Sequence, residues 1–217
     1  NEHMTTRGNE WNEPLFGGRS NDSERMAWSG VAARYRVRLL WPDGVPMTWK
    51  ATAGFPEPKV SMVGKTHQLL VDVSNVTAPK PPIGAPARFQ RVGQLEASTF
   101  RDWNEISARM APLFTEASTL AAASPLKAEA ATIAAASPDP KVRAFAALQL
   151  VEEKTRYLFM GMGDGGYRPT PADQTWSRRF GDCKAKTVLL LALLRELGVQ
   201  AEPVLVAMAG GDGLNLR

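Results

Sequence analysis

An alternation of apolar and polar residues is the first clear pattern along the chain. From Tyr35 to Trp41 every second residue is large and apolar, which is typical of a half-buried strand, and the pattern stops at Pro42-Asp43-Gly44. Similar runs bounded by Gly, Pro and Asn predict further strands at 45–53, as a hairpin return, and at 60–63, 68–73 and 88–100. We therefore expect an antiparallel β domain over residues 31–100, a β-sandwich or part of one.

Two segments show neither the alternation typical of a strand nor the spacing of roughly 3.6 residues typical of a helix. Residues 1–30 are rich in Asn, Glu, Ser, Gly and Arg, and we expect a poorly ordered or partial N-terminal segment there. The proline-rich stretch 78–86 is interpreted as an exposed loop within the β domain, because strand-like residues resume directly after it.

From about residue 101 the apolar spacing becomes helical. Trp103, Ile106, Met110 and Phe114 share one face, Thr99 with Asp102 resembles a capping box, and Pro112 is expected to kink or end the helix. Capping residues and glycines predict further helices at 125–136, 138–160, 171–179 and 183–197, followed by a strand at 201–208. The fold class expected is α+β, with β structure followed by a mainly helical half.

Composition excludes several kinds of protein. The 217 residues include one cysteine, which rules out an internal disulfide framework and a multi-cysteine zinc site. The formal net charge of +4 comes without a dense basic block, so nucleic acid is not an expected partner. No apolar run is long enough to span a bilayer, and no signal segment opens the chain.

The single cysteine occupies a position suited to chemistry. Asp182 is a good N-cap, which places Cys183 in the first helical turn, where unpaired N–H groups and the helix dipole favour a thiolate. Lys184 adds positive charge, while Asp182 partly opposes the effect. The same N–H groups are suited to receive the oxyanion that forms when a thiolate attacks an acyl carbon. A buried, inert cysteine is the alternative.

The residues around Cys183 resemble a known family. The run Arg179-Phe180-Gly181-Asp182-Cys183-Lys184-Ala185-Lys186-Thr187, the leucine-rich helix after it and the strand-like Pro203-Val204-Leu205-Val206 look like the nucleophile segment of the transglutaminase-like superfamily. Phe100-Arg101-Asp102-Trp103, Arg156-Tyr157-Leu158 and the loop 162–169 are similar to a bacterial branch in which a β-sandwich domain precedes the transglutaminase-like domain. Branch members often carry an acidic residue where this chain has Ala185.

The resemblance implies a papain-like Cys-His-Asp triad, with Cys183 forming a thioester with a carboxamide or peptide carbonyl. It places the histidine and the aspartate after the cysteine helix, whereas the two histidines of this sequence, His3 and His67, both precede it. We therefore interpret residues 101–217 as the N-terminal half of a transglutaminase-like domain, in an apparent fragment that has no triad-dependent turnover by itself.

The leading functional hypothesis is thus a part of a cysteine-dependent acyl-transfer enzyme, either a peptidase or amidase or a protein-glutamine transferase. Asp182 and Lys184 would support the nucleophile, a protein or peptide would be the substrate, and no cofactor or metal is expected. The alternative is a non-catalytic binding or scaffolding protein with a vestigial transglutaminase-like domain. The resemblance leaves a periplasmic or secreted location open.

Three other features receive weaker interpretations. The glycine-rich loop 161–166 lacks the Lys-Ser/Thr ending of a phosphate loop and is interpreted as a flexible border of the cleft. Trp176 is expected to pack against the central helix rather than line the acyl site. His67 is expected on a sheet face, not as a metal ligand.

Overall fold

The computed structural model describes residues 5–7, 10–14, 23–27, 31–51, 54–77, 83–84, 93–159 and 168–206. Antiparallel sheets and helices are both present, which confirms the α+β class. The chain separates into two compact units, the described parts of Asn1–Glu105 with Val206–Arg217, and Ile106–Leu205. The proline-rich stretch 78–86 lies outside the described residues except for 83–84.

The strands are β1 (Thr5–Arg7), β2 (Glu10–Pro14), β3 (Ser23–Ala27), β4 (Val31–Pro42), β5 (Thr48–Ala51), β6 (Lys59–Val63), β7 (Thr66–Thr77), β8 (Gln94–Ser98), β9 (Arg156–Tyr157) and β10 (Phe180–Gly181). The helices are α1 (Trp103–Ala117), α2 (Leu126–Ala136), α3 (Pro140–Lys154), α4 (Ala172–Arg178) and α5 (Cys183–Glu196).

The first unit contains two sheets. One has the order β1-β2-β4-β7-β6 and is antiparallel except where β2 runs parallel to β4; the other has the antiparallel order β3-β8-β5. The alternation predicted in β4 is confirmed, because Val37, Leu39 and Trp41 are buried. They belong to one apolar cluster with Leu69 of β7 and Leu95 of β8, so both sheets contribute to the same core. The sandwich arrangement itself stays a prediction.

The prediction that residues 45–53 form a hairpin with β4 was wrong. Residues 48–51 form a strand, but that strand pairs with β8, with Thr48 opposite Ser98. Strand β4 already has β2 on one edge and β7 on the other, so no edge is left for β5. The strands expected at 60–63 and 68–73 are confirmed as a hairpin in which Val63 faces Thr66. Gly64 lies in the two-residue turn with φ +61, a conformation that favours glycine.

Three short stretches of the N-terminal segment are described as strands. Residues 5–7, 10–14 and 23–27 are strands, although their sequence shows no sustained alternation. They form because long partners are available: β2 pairs with the middle of β4, and β3 pairs with β8. Tertiary context thus decides a strand that local sequence does not indicate.

Two predicted helix starts differ from the observed ones. At α1 the cap is Asp102, whose carboxylate accepts a hydrogen bond from the Glu105 amide at 2.8 Å, while the Glu105 carboxylate accepts one from the Arg101 amide at 2.9 Å. Thr99 lies four residues before the start of α1 at Trp103, and Pro112 lies inside the helix without ending it. At α3 the cap is Asp139, not Ser137, since the Asp139 carboxylate accepts from the Lys141 amide at 2.8 Å.

The end of α3 and the segment after α5 also differ from expectation. Helix α3 stops at Lys154, and the chain enters β9 instead of continuing to residue 160. Residues 201–206, predicted as a strand, are exposed and irregular, and none of the described strands pairs with them. The start predicted for α2 and the extents predicted for α4 and α5 agree with the structure to within about one residue.

Helix α5 lies at the centre of the second unit. Val188, Leu189, Ala192, Leu193 and Leu194 are buried and pack against α2, α3 and α4. The helix ends at Glu196, and Gly198 follows with φ +69, a usual helix stop. In the described part of the chain, no helix combines the length and the apolar character that crossing a membrane requires.

Candidate active site around Cys183

Cys183 is the first residue of the central helix and is exposed, in contrast to most of the residues behind it. Asp182 precedes it in an extended conformation, and its Oδ1 accepts a hydrogen bond from the Ala185 amide at 3.0 Å. The predicted N-cap is therefore present. An exposed sulfur thus stands on a rigid, buried support at the positive end of a helix.

The charge of the capping residue is compensated. Asp182 is 3% exposed, and its Oδ2 forms an ion pair with the ammonium group of Lys184. A buried carboxylate without a partner would be costly, so the pair allows Asp182 to cap the helix. The pair also offsets the negative charge beside Cys183, which the sequence alone had suggested would oppose a thiolate.

A second lysine joins the helix start to its surroundings. Lys186 donates from Nζ to the backbone carbonyl of Thr155 at 2.9 Å, which links the first turn of α5 to the residue that follows α3. The Thr155 side chain is buried, and its hydroxyl has no hydrogen-bond partner in the described part of the chain. Sequence reasoning did not single out Thr155, because nothing local distinguishes it from other threonines.

A short parallel pair of strands fixes the approach to Cys183. Arg156 donates from its amide to the Arg179 carbonyl at 2.9 Å, and Leu158 donates to the Gly181 carbonyl at 2.9 Å. In this register Tyr157 lies opposite Gly181. The residue two positions before Cys183 is thus held by backbone hydrogen bonds that do not depend on side-chain identity.

Gly181 has a structural role that the sequence analysis did not assign. A Cβ atom at this position would lie 2.6 Å from Cβ of Ala185 and 3.2 Å from Cγ2 of Thr175. These distances are closer than ordinary van der Waals contact, so only glycine lets β10 pass this close to α5. Ala185 is equally constrained by size, because a larger side chain there would approach Gly181 still more closely.

Trp176 and Arg179 lie in the segment before α5 and contact each other. Trp176 is 4% exposed and belongs to the core cluster, which confirms the packing role expected for it. The guanidinium of Arg179 lies 3.5 Å from the Trp176 ring centroid, a cation–π contact. The backbone of Arg179 is in the left-handed conformation, with φ 60, at the end of α4, where the chain turns into β10.

The remaining residues that the sequence singled out lie apart from this site or outside the described residues. His67 belongs to the first unit, where it stacks on Trp41 and places Nε2 3.1 Å from Oδ1 of Asp43. This agrees with a sheet-face histidine. The described residues hold no group of three or more metal-binding side chains. The glycine-rich loop 161–166 lies outside the described residues.

Comparison with known proteins gives one fold-level similarity. The sequence matches no family model and no curated protein. The structure is similar to the crystal structure of a protein from Parabacteroides distasonis ATCC 8503 that is described as a "putative protease", with a TM-score of 0.66 and 15% identity. The similarity covers 81% of this chain and 34% of that protein. At this identity the two proteins share a fold, and the chain spans about a third of its neighbour.

Proposed function

We propose that this chain carries the nucleophile of a cysteine-dependent acyl-transfer enzyme of the transglutaminase-like type, acting as a peptidase, amidase or protein-glutamine transferase. The observation that carries the proposal is Cys183 itself, an exposed cysteine at the capped start of a helix whose buried residues belong to the core of the second unit. The shared fold with a protein described as a "putative protease" supports the same class.

The proposed reaction has two halves. In the first, the Cys183 thiolate attacks the carbonyl carbon of an amide, a C–S bond forms, the C–N bond breaks, and the amine leaves after taking a proton from an acid. In the second, water or another amine adds to the thioester carbon, gives up a proton to a base, and displaces the thiolate as the C–S bond breaks. In this proposal the amides of Cys183 and Lys184 donate to the oxygen that becomes negative in both halves, since the Ala185 amide already donates to Asp182.

Each supporting residue has a defined task in this proposal. Asp182 holds the first turn in helical geometry through the Ala185 amide, and Lys184 keeps that carboxylate paired. The resemblance assigns proton transfer to a histidine after the cysteine helix, and no histidine occurs between Cys183 and Arg217. The half-reaction that residues 1–217 can show is therefore acylation by a substrate whose leaving group needs no proton.

The test is acylation by an activated aryl ester, whose phenolate leaves unaided. We expect one acyl group per chain by intact mass, located at Cys183, and its loss when a primary amine or hydroxylamine is added. Cys183→Ser is the control for site, and the urea-unfolded chain is the control for an ordinary thiol. Acylation of the folded chain no faster than that of the unfolded chain would favour the alternative, a non-catalytic protein with a vestigial domain.

A further inference from the structure

Positive charge is concentrated around the helix start. Residues 154–186 contain seven Lys and Arg and three Asp, so they carry 7 − 3 = +4. The formal net charge of the whole chain is also +4, so the other residues sum to zero. A local excess of this kind attracts anions, and its range is limited to about one Debye length, about 8 Å at physiological salt.

The two aspartates of this segment that the structure describes are already subtracted in that sum, and each of them has a hydrogen-bond or ion-pair partner. Asp182 is paired with Lys184. Asp173 accepts hydrogen bonds from the Ser124 hydroxyl and the Ala121 amide, so its charge is used to hold the start of α2. The remaining aspartate, Asp164, lies outside the described residues.

Three arginines in or near the short strands β9 and β10, in contrast, are exposed, and within the described residues none of them forms an ion pair. They are Arg156, Arg178 and Arg179, which we call the arginine triplet. Arg156 and Arg179 are joined by a backbone hydrogen bond of 2.9 Å, and Arg178 precedes Arg179 at the end of α4. The triplet therefore lies on neighbouring segments that the short sheet holds together.

The arginine triplet lies close to Cys183 in the chain and in the register of the short sheet. Arg156 faces Phe180 in the register of β9 and β10, and Phe180 is three residues before Cys183. Even a fully extended chain spans at most about 14 Å over the four steps from Arg179 to Cys183. An arginine side chain reaches several ångströms from its Cα atom, so a guanidinium group directed towards the sulfur would act on it within roughly one Debye length.

We propose that the acyl donor of Cys183 is an acidic peptide, one that carries carboxylates next to the amide that the thiolate attacks. This inference rests on the proposed function and adds the class of substrate. Guanidinium groups match carboxylates in geometry as well as in charge, because two parallel N–H groups can donate to the two oxygens.

The experiment compares three disulfide reagents that differ in charge, since Cys183 is the single thiol. They are dianionic dithiobis(nitrobenzoate), neutral dithiodipyridine and dicationic cystamine. The preference is the rate of reaction with the anionic reagent divided by the rate with the cationic reagent. We expect this ratio to be at least about fivefold higher for the folded chain than for the urea-unfolded chain. The preference should fall as salt is raised from about 20 mM to about 500 mM.

Variants show whether the arginine triplet causes the preference. Arg156→Gln and Arg178→Gln should each lower the preference for the anionic reagent about twofold, and the double variant should lower it further. Lys141→Gln is the matched control, because it removes one exposed positive charge at the start of α3, 13 residues before Lys154, or about 20 Å along the helix. An unchanged preference in the arginine variants, or an equal loss in Lys141→Gln, would overturn the inference.

The two proposals fail in different ways. Charge preference towards disulfides needs no acyl transfer, so it can be present while the aryl ester fails to acylate Cys183; the proposed function then fails. Acylation by a neutral ester without any charge preference contradicts the proposal of an acidic substrate and leaves the proposal of a Cys183 nucleophile intact.

A last experiment compares the acylation rate of an acidic peptide ester with that of its Gln-substituted analogue. The acidic peptide should react faster with the wild-type chain and should lose this advantage with the double arginine variant.

Discussion

At the scale of single residues, Gly181 is the position where side-chain size matters most for the candidate site. Gly181→Ala should lower the free energy of unfolding by roughly 1–3 kcal/mol, because the new Cβ would lie 2.6 Å from Cβ of Ala185. Ala185→Gly removes that atom, so the double variant should recover part of the loss despite the cost of a helical glycine, about 1 kcal/mol. Urea denaturation measures both. A double variant no more stable than Gly181→Ala alone would contradict this account.

Two buried threonines offer a matched pair. The Thr155 hydroxyl has no hydrogen-bond partner in the described part of the chain, whereas the Thr175 hydroxyl donates to the Pro171 carbonyl at 3.0 Å. Replacing an unpaired buried hydroxyl by a methyl group removes a desolvation cost, so Thr155→Val should stabilise the fold by up to about 1 kcal/mol. Thr175→Val should destabilise it by about 1 kcal/mol, since it breaks that bond, while the Pro171 carbonyl keeps the hydrogen bond from the Thr175 amide.

Thermal or urea unfolding of the two valine variants checks this pair. Destabilisation by Thr155→Val comparable to that by Thr175→Val would show that the Thr155 hydroxyl has a partner that the described residues do not reveal.

Residues differ in how far their roles could be predicted from sequence. The cap at Asp182 was predictable because an N-cap acts on an amide three residues away, within the same segment. The roles of Gly181 and Thr155 were not, because each depends on an atom of another element: Ala185 of α5 for Gly181, and Lys186 of α5 for the Thr155 carbonyl.

At the scale of elements, the central pair of the larger sheet has a pH-dependent contact. Arg34 of β4 donates two hydrogen bonds to the Asp72 carboxylate of β7, at 2.7 and 2.6 Å. These bonds lower the pKa of Asp72 from its ordinary value, against a smaller opposing effect of desolvation, and the charges of Arg34 and Arg36 lower it further. A carboxyl with a lowered pKa in the folded state contributes stability above its unfolded pKa and loses that contribution as pH falls through the folded pKa.

Asp72→Asn should therefore reduce the loss of stability on acidification. We expect the urea midpoint of the wild-type chain to fall more than that of Asp72→Asn between about pH 6 and about pH 3. Glu57→Gln, an exposed change before β6, is the control and should keep the wild-type pH dependence. Equal acid sensitivity of Asp72→Asn and the wild type would contradict the assigned pair.

Helices were predicted better than strand pairings, for a physical reason. The capped start and apolar length of α5 are properties of adjacent residues, and both are confirmed. The partner of β5 depends on β8, about 45 residues later, and on the occupation of both β4 edges. The short strands β1, β2 and β3 likewise exist because longer strands pair with them, which no local period could indicate.

At the scale of the whole molecule, fold and chemistry rest on different evidence. The α+β class was predictable because the apolar period changes from two to about 3.6 near residue 100. The similarity to the Parabacteroides protein covers 81% of this chain and concerns the fold. The proposed chemistry rests on one exposed cysteine, its paired cap and residues 154–186, whose formal charge of +4 equals that of the whole chain.

The most direct test of the central claim is whether folding makes Cys183 a better nucleophile. The measurement is the rate of alkylation by iodoacetamide at about pH 6.5, with the urea-unfolded chain as the reference for an ordinary thiol. Because iodoacetamide is neutral, the rate reports the helix start rather than the attraction of a charged reagent. We predict that the folded chain reacts at least roughly threefold faster. A folded chain that reacts at the same rate as the unfolded one, or more slowly, would contradict the account.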